Sequence, residues 1–173
     1  MKYLWRFMQL VTCCLLLVGC GIRSKYVDVN KEGTQYTIDN VRFYYPDRFT
    51  LDNKKTNPTS IQFHDQSESI FYEVYENDTV NELEHRITLY TAELKQKEAS
   101  NIVVSQPILK SGLTVYEITG SYINQEMRFK HIVYFTDRYT YIFGYKAIAK
   151  DYEANSNEIT TFLQSIVIEE IHE

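Results

Sequence analysis

The sequence has 173 residues, among them three cysteines, four histidines and fifteen tyrosines, the side chains whose types could do chemistry. Cysteine offers a nucleophile or a metal ligand, histidine a proton acceptor or a ligand, and tyrosine a hydroxyl on a large apolar ring. Their spacing narrows the choice. Cys13 and Cys14 are adjacent and lack the C-x-x-C separation of redox or zinc motifs. His131 has the phase of an apolar strand face, which predicts a hydrogen-bonded, partly buried imidazole. His85 follows Glu82 by three residues, a spacing that could put two ligands on one helical face and that also arises by chance on any charged helix. His64-Asp65 reads as a strand end, and His172 belongs to a tail expected to fray. The sequence lacks G-x-S-x-G, a phosphate-cradling glycine loop, H-E-x-x-H and the EF-hand pattern. No catalytic residue, metal ligand or cofactor is therefore assigned, and the chain is expected not to be an enzyme.

Tyrosine is the more informative excess, with clusters in "FYY", "FYEVY" and "YTYIFGY". A tyrosine ring suits both wet protein interfaces and ligand clefts, and it also has high strand propensity. Most of these rings are expected to cover a sheet. The functional expectation is a binding surface formed by Tyr139, Tyr141 and Tyr145 with Tyr72 and Tyr75.

Cys20 closes the run "LLLVGC". Before it, Lys2 and Arg6 form a basic start, and Leu10 to Val18 is an uncharged apolar stretch of nine residues. A membrane-spanning helix needs about 20, so this stretch is too short to be a permanent anchor. Gly19 and Gly21 are the small residues of a signal cleavage region, and Leu17-Val18-Gly19-Cys20 resembles the lipobox of bacterial lipoproteins. The resemblance implies that residues 1–19 are removed and that Cys20 carries a diacylglyceryl group, often with a further fatty acyl chain on the new amino terminus. Two or more chains hold a protein to a bilayer stably, at roughly 0.8 kcal/mol per buried methylene.

Cleavage there leaves 154 residues, the 173 less the 19 before Cys20, enough for one domain with a core. They contain no cysteine but Cys20, which excludes disulfides, thiol nucleophiles and cysteine-ligated zinc or iron–sulfur clusters. Without Lys2 and Arg6, 16 basic residues face 23 acidic ones, a formal charge of −7. An acidic domain is repelled by an anionic membrane surface, so lipid must do the anchoring, and nucleic acid is excluded as a partner for want of a basic face. "GIRSKYVDVNKEGT", Gly21 to Thr34, is polar and without apolar period; residues 20–34 are read as lipidated cysteine and flexible tether. Its 14 residues reach at most about 45–50 Å. Residues 35–173 are read as a single domain.

"QYTIDNVRFYYP" holds two strand runs around the turn-prone Asp39-Asn40, and Pro46 ends the second. "SIQFHD" and "SIFYEVYE" are two more strands, and four in succession predict an antiparallel meander. The period then changes. Val80, Leu83, Ile87, Tyr90 and Leu94 form one helical stripe, Thr79 and Glu82 fit a capping box, and a helix is expected from about Val80 to Ala99. From Asn101 the strand period resumes in "IVVSQPIL", "LTVYEITGSYI", "MRFKHIVYFT" and "YTYIFGYKAIA", with turns at Asn124-Gln125 and Thr136-Asp137-Arg138. Met127, Phe129, His131, Val133 and Phe135 alternate with Arg128, Lys130, Ile132 and Tyr134. Both faces carry apolar surface, so covering on both sides is expected. A closing helix, with Asn155 and Glu158 resembling a cap, repeats Ile159, Phe162, Leu163 and Ile166 at helical spacing. Asn77-Asp78-Thr79 matches a glycosylation sequon.

The element order, with "VRFYYPDRF" near the start and "ITTFLQSIVI" at the end, resembles the PsbP-like fold, shared by the extrinsic photosystem subunit PsbP and by lipoproteins resembling DcrB. The resemblance covers roughly Gln35 to Ile168. It implies an α+β fold, a mainly antiparallel β-sheet flanked by helices in an α/β/α sandwich. The family often has tryptophan where this chain has Phe49, and no residue match carries over a photosystem, calcium or manganese role. It implies a non-enzymatic domain that docks on membrane-associated machinery.

The expectation is thus a lipid-anchored protein on the extracytoplasmic face of the cell membrane, a binding or assembly module for a protein partner in the envelope. A carrier or sensor of a small amphipathic ligand in a tyrosine-lined cleft, and a hydrolase of envelope material, are the alternatives. An interaction module should expose an aromatic patch without a deep pocket, a carrier should enclose an apolar cavity, and a hydrolase should gather carboxylates or a Ser-His pair within about 3 Å reach.

Overall fold

The structure is a computed structural model that describes residues 26–77, 83–106, 108–110, 112–122, 124 and 126–169. Cys20, Glu82, the capping box and His172 lie outside the described residues. The chain folds as α1 (Val29–Glu32), β1 (Gly33–Ile38), β2 (Val41–Pro46), β3 (Thr50–Leu51), β4 (Ser60–Asp65), β5 (Glu68–Glu76), α2 (Leu83–Gln96), β6 (Ala99–Val104), β7 (Ile108–Lys110), β8 (Leu113–Tyr122), β9 (Met127–Phe135), β10 (Tyr139–Ile148), α3 (Ala149–Leu163) and β11 (Val167–Ile168).

Alternating apolar residues in β8, β9 and β10 pair them as long antiparallel hairpins, Tyr116 opposite Val133 and Phe143 opposite Ile132. These strands are the middle of an eight-stranded sheet of order β3-β4-β5-β10-β9-β8-β6, with β7 also on β8. The chain leaves β5, crosses through α2 and re-enters at the far edge as β6. A three-stranded sheet, β1-β2-β11, lies apart. The expected four-strand meander therefore breaks after β2. Residues after α3 supply the reason: β11 pairs with Val41 and Arg42, and the Asn40 side-chain amide donates to the Glu169 carbonyl at 2.9 Å. The turn at Asp39-Asn40 is present, with Asp39 in the left-handed region at φ 47°, which aspartate tolerates better than most residues.

The large sheet is covered on both faces. One core joins Phe43, Phe63, Tyr72, Phe143, Tyr145, Ile159 and Leu163, placing α3 and the small sheet on one side. The other gathers Leu94, Ile118, Phe129, Val133 and Ile142, with Leu83, Ile87 and Tyr90 of α2 against them. The helical stripe thus does what its spacing requires. α2 ends three residues before the expected Ala99, because Glu98 turns left-handed at φ 66° and Ala99 pairs with Tyr122.

α3 begins six residues before the expected cap. Asn155 lies within the helix, and its amide donates to Glu68 Oε1 at 3.1 Å. A side chain with a sheet partner has no need to cap. The first backbone donor of α3, Ala149 N–H, reaches the Glu126 carbonyl at 3.2 Å instead.

The expected tether is shorter than its composition suggests. Val27 is buried, the Asp28 carboxylate accepts from Asn30 N–H at 3.2 Å, and α1 follows at once. Gly33 presses against the Phe162 ring and sits where a Cβ would lie 2.7 Å from the Tyr45 carbonyl oxygen, so only glycine lets the chain pass here. Residues 27–34, assigned to the tether from polarity, belong to the folded domain, since one buried valine and backbone pairing outweigh the exposed side chains around them.

Candidate functional site

The tyrosines proposed as a surface do not form one. Side chains alternate along a strand, so Tyr72, Tyr139, Tyr141 and Tyr145 face α3 and the small sheet, whereas Tyr75 shares the α2 side with Phe71 and Glu73. Tyr72, Tyr141 and Tyr145 are buried to 2, 3 and 0% exposure; Tyr139 is half-buried and Tyr75 is 45% exposed. The hydroxyls of Tyr145 and Tyr141 are spent internally. Tyr145 donates to Glu68 Oε1 at 2.5 Å, and Tyr141 accepts from Asn40 at 3.3 Å. Burial raises the phenol pKa of Tyr72 and Tyr145 well above the ordinary value.

Glu68 belongs to a polar cluster under α3. Arg48 reaches Asp65 at 3.2 Å, Glu68 at 3.4 Å and Glu158 at 2.5 Å, and its guanidinium lies 5.0 Å from the Phe49 ring centre. Ser67 donates to Asp151 of the same helix. Each carboxylate named here is engaged by a donor, so the cluster fastens α3 to the β4–β5 turn and leaves no free acid or base. Among the described residues, no group of three or more histidine, cysteine or carboxylate side chains could hold a metal.

On the other face, β9 carries His131 under α2. Its Nδ1 shares a hydrogen bond of 2.9 Å with the Tyr90 hydroxyl, its ring stacks 4.6 Å from Phe129, and it is 3% exposed. Burial, then the positive charges of Lys146 and Lys97, pushes its pKa down to about 3. The imidazole is therefore neutral across the physiological range and already occupied, the core histidine that its strand phase predicts. A polar cleft of about 290 Å³ opens beside it, lined by Glu73, Tyr90, Lys97, Tyr122 and Lys146. Lys97 is held by Glu93 at 2.6 Å, and Glu73 accepts from Tyr75 at 2.7 Å. The polar partner of His131 is Tyr90 and not a serine, which leaves a Ser-His pair without its base here. His64 and His85 are exposed on β4 and α2.

The outward-facing apolar surface lies elsewhere. β6 and β7 follow one another along the far side of β8 and form that edge of the large sheet. Val103 is 63% exposed, Ile108 58% and Leu109 77%, with Val104 exposed beside them. A register shift between Ser100 and Val103, with Asn101 at φ 52°, bulges the strand just before this patch. An apolar edge of this kind is a template for pairing with another chain, and proteins ordinarily blunt it with charge. Sequence reasoning assigned "IVVSQPIL" to a strand and missed its place at the edge of the sheet. The pattern reads equally well as a covered strand, and only the pairing order makes it an edge.

No family model matches the chain, and no curated protein matches it. Solved structures do. Cyanobacterial PsbP (CyanoP) from Synechocystis superposes with a TM-score of 0.59 at 14% identity, over 87% of this chain and 97% of that one. The Ran-binding protein Mog1p of Saccharomyces cerevisiae superposes at 0.53 with 8% identity, over 79% of this chain and 95% of that one. At these identities the likeness is one of fold, and the fold is PsbP-like.

Proposed function

We propose that the chain is an extracytoplasmic lipoprotein, anchored through lipid on Cys20, whose PsbP-like domain is a non-enzymatic module that binds a protein partner in the envelope. The observation that carries this reading is the apolar β6–β7 edge, where Val103, Ile108 and Leu109 stand more than half exposed. Leaving these side chains in water forgoes roughly 1.5–3 kcal/mol each relative to full burial, which a partner strand or groove recovers. The same fold in Mog1p, a Ran-binding protein, supports a frame used for binding. Among the described residues, no helix is long and apolar enough to cross a membrane, which is compatible with a lipid doing the anchoring.

With Val27 folded into the domain, six residues, Gly21 to Tyr26, separate it from Cys20. They span at most about 20 Å. The domain would work close to the bilayer, and its partner would be membrane-bound or lie at the membrane surface.

The test is crosslinking in intact cells, comparing the native chain, a Cys20→Ala chain exported by a cleavable signal, and a Val103→Asp/Leu109→Asp chain. The expected result is one crosslinked complex of defined mass, lost in the edge variant at unchanged folding stability and reduced when Cys20 is replaced. An identical complex with all three chains, or none with any, refutes the reading.

A further inference from the structure

The α2 face of the large sheet is only partly roofed. Tyr90 and Leu94 of α2 lie against β8 and β9, while Ser60 and Gln62 of β4 and Phe71 and Glu73 of β5 stay partly exposed beside them. The pairing register orders this floor. Gln62, Phe71, Gly144 and His131 form one cross-strand row; the next row on one side holds Ser60 and Glu73, and the next on the other holds Ser69 and Lys146. The Phe71 ring fills the space over Gly144. The polar cleft of about 290 Å³ therefore has an aromatic floor, with Glu73 toward one end and Lys146 toward the other.

These two charges do not satisfy each other. Their rows lie four residues apart, about 13 Å along the strands, and Lys146 forms no ion pair or side-chain hydrogen bond with a described residue. Burial presses its pKa below the ordinary ammonium value, Lys55 adds to this, and the charge of Glu73 offsets only part. Glu73 Oε2 accepts from the Tyr75 hydroxyl at 2.7 Å, and its Oε1 has no donor among the described residues. On β4, the Gln62 amide and the Ser60 hydroxyl also have no partner among the described residues. All four side chains are partly exposed where they line the cleft, so a ligand can reach them. An unpaired cation, a half-used carboxylate and an idle amide around an aromatic floor describe a receptor for a zwitterion with a polar group between its charges.

We propose that this cleft binds a dipeptide with both termini free, its carboxylate on Lys146, its ammonium on Glu73 and its backbone over Phe71 with the peptide group toward Gln62. Two extended residues cover about 7 Å. A hydrogen bond of about 3 Å at each end brings the span to about 13 Å, the separation of the two rows. A single amino acid carries both charges on one carbon and is too short to engage both ends. The site shares no residue with the β6–β7 edge, so it stands or falls apart from the docking reading.

The test uses the full chain in phosphatidylcholine nanodiscs, titrated with alanyl-alanine, its N-acetyl form, its carboxamide and free alanine, and read by saturation-transfer NMR against empty discs. The expected result is saturable one-site binding of alanyl-alanine, about tenfold weaker for either blocked form and for alanine, as loss of a charge-assisted contact should give. Lys146→Gln weakens alanyl-alanine about tenfold and leaves the carboxamide unchanged. Glu73→Gln weakens alanyl-alanine similarly and leaves the N-acetyl form unchanged. A general loss of structure would not match each substitution to one terminus. No saturable signal above empty discs, blocked forms or alanine binding as well as alanyl-alanine, or a substitution that weakens free and blocked forms alike would each overturn the proposal.

Discussion

Replacing Tyr134 by phenylalanine should make the protein more stable, and Tyr145 by phenylalanine less stable, although both substitutions remove one hydroxyl from the same core. Tyr134 is 2% exposed and its oxygen has no partner among the described residues. A buried donor left unmade costs about 1–3 kcal/mol. Phenylalanine keeps the ring against Phe143 and forfeits only the few dispersion contacts of one oxygen, each about 0.1–0.2 kcal/mol. The net gain is about 1 kcal/mol. Tyr145 is fully buried and donates to Glu68 Oε1 at 2.5 Å. Its loss leaves a buried carboxylate one donor short, and hydrogen bonds to charged groups contribute about 1.5–3 kcal/mol. The two variants should therefore differ by about 3 kcal/mol with opposite signs about the native chain. Urea unfolding of the full chain measures this directly, given slopes that stay equal. In thermal unfolding, each kcal/mol corresponds to about 2–4 °C for a protein of this size. Destabilisation of Tyr134→Phe by 1 kcal/mol or more would refute the reasoning, since it requires a satisfied hydroxyl.

Three further outcomes follow from the packing. Gly144→Ala would place a methyl group inside the Phe71 ring, which lies across the cross-strand glycine; overpacking costs typically about 1–3 kcal/mol, and Phe71→Ala in the same chain should recover most of it in a double-mutant cycle. Arg48→Met strands the buried Glu68 and two further carboxylates, a loss of about 1–3 kcal/mol once the one-third exposure of Arg48 is discounted, and Arg48→Lys should restore under half because an ammonium cannot serve three acids from one plane. For His131, the folded pKa of about 3 lies below the ordinary value of 6.5, so the unfolded chain binds the extra proton between those pH values. Stability is therefore fully present above pH 6.5 and falls as pH drops, by at most about 1.4 kcal/mol per unit. His131→Gln should flatten the pH dependence between 6.5 and 4.5 relative to the native chain, and parallel curves would reject the assignment.

Local periodicity carried much of the fold. The stripe Leu83, Ile87, Tyr90 and Leu94 specified α2 and its buried face, and the alternation through β9 and β10 stated correctly which residues share a side. The strand phase of His131 was enough to predict a buried, bonded imidazole. Such signals survive because they are set by 3.6- and two-residue repeats that a few neighbours establish. The limits lie at the same scale. Asn155 looks like a cap in sequence and is a hydrogen-bond donor to Glu68 in space, 87 residues away.

Tertiary structure alone decided the candidate sites. Period two groups Tyr72, Tyr139, Tyr141 and Tyr145 on one face, yet it cannot say that α3 and the small sheet cover that face and remove these rings from solvent. Nor can it say that Val103 and Leu109 stand on a terminal strand, since strand order is fixed by pairings between segments far apart in the chain. Whether the Tyr134 hydroxyl has a partner depends on every element around it at once. The amino-acid sequence by itself determined the elements, the acidic charge and the place of Cys20 at the end of its apolar run. Which surfaces remain uncovered and which polar groups remain unpaired are properties of the packed whole, because burial and hydrogen-bond satisfaction are non-local sums.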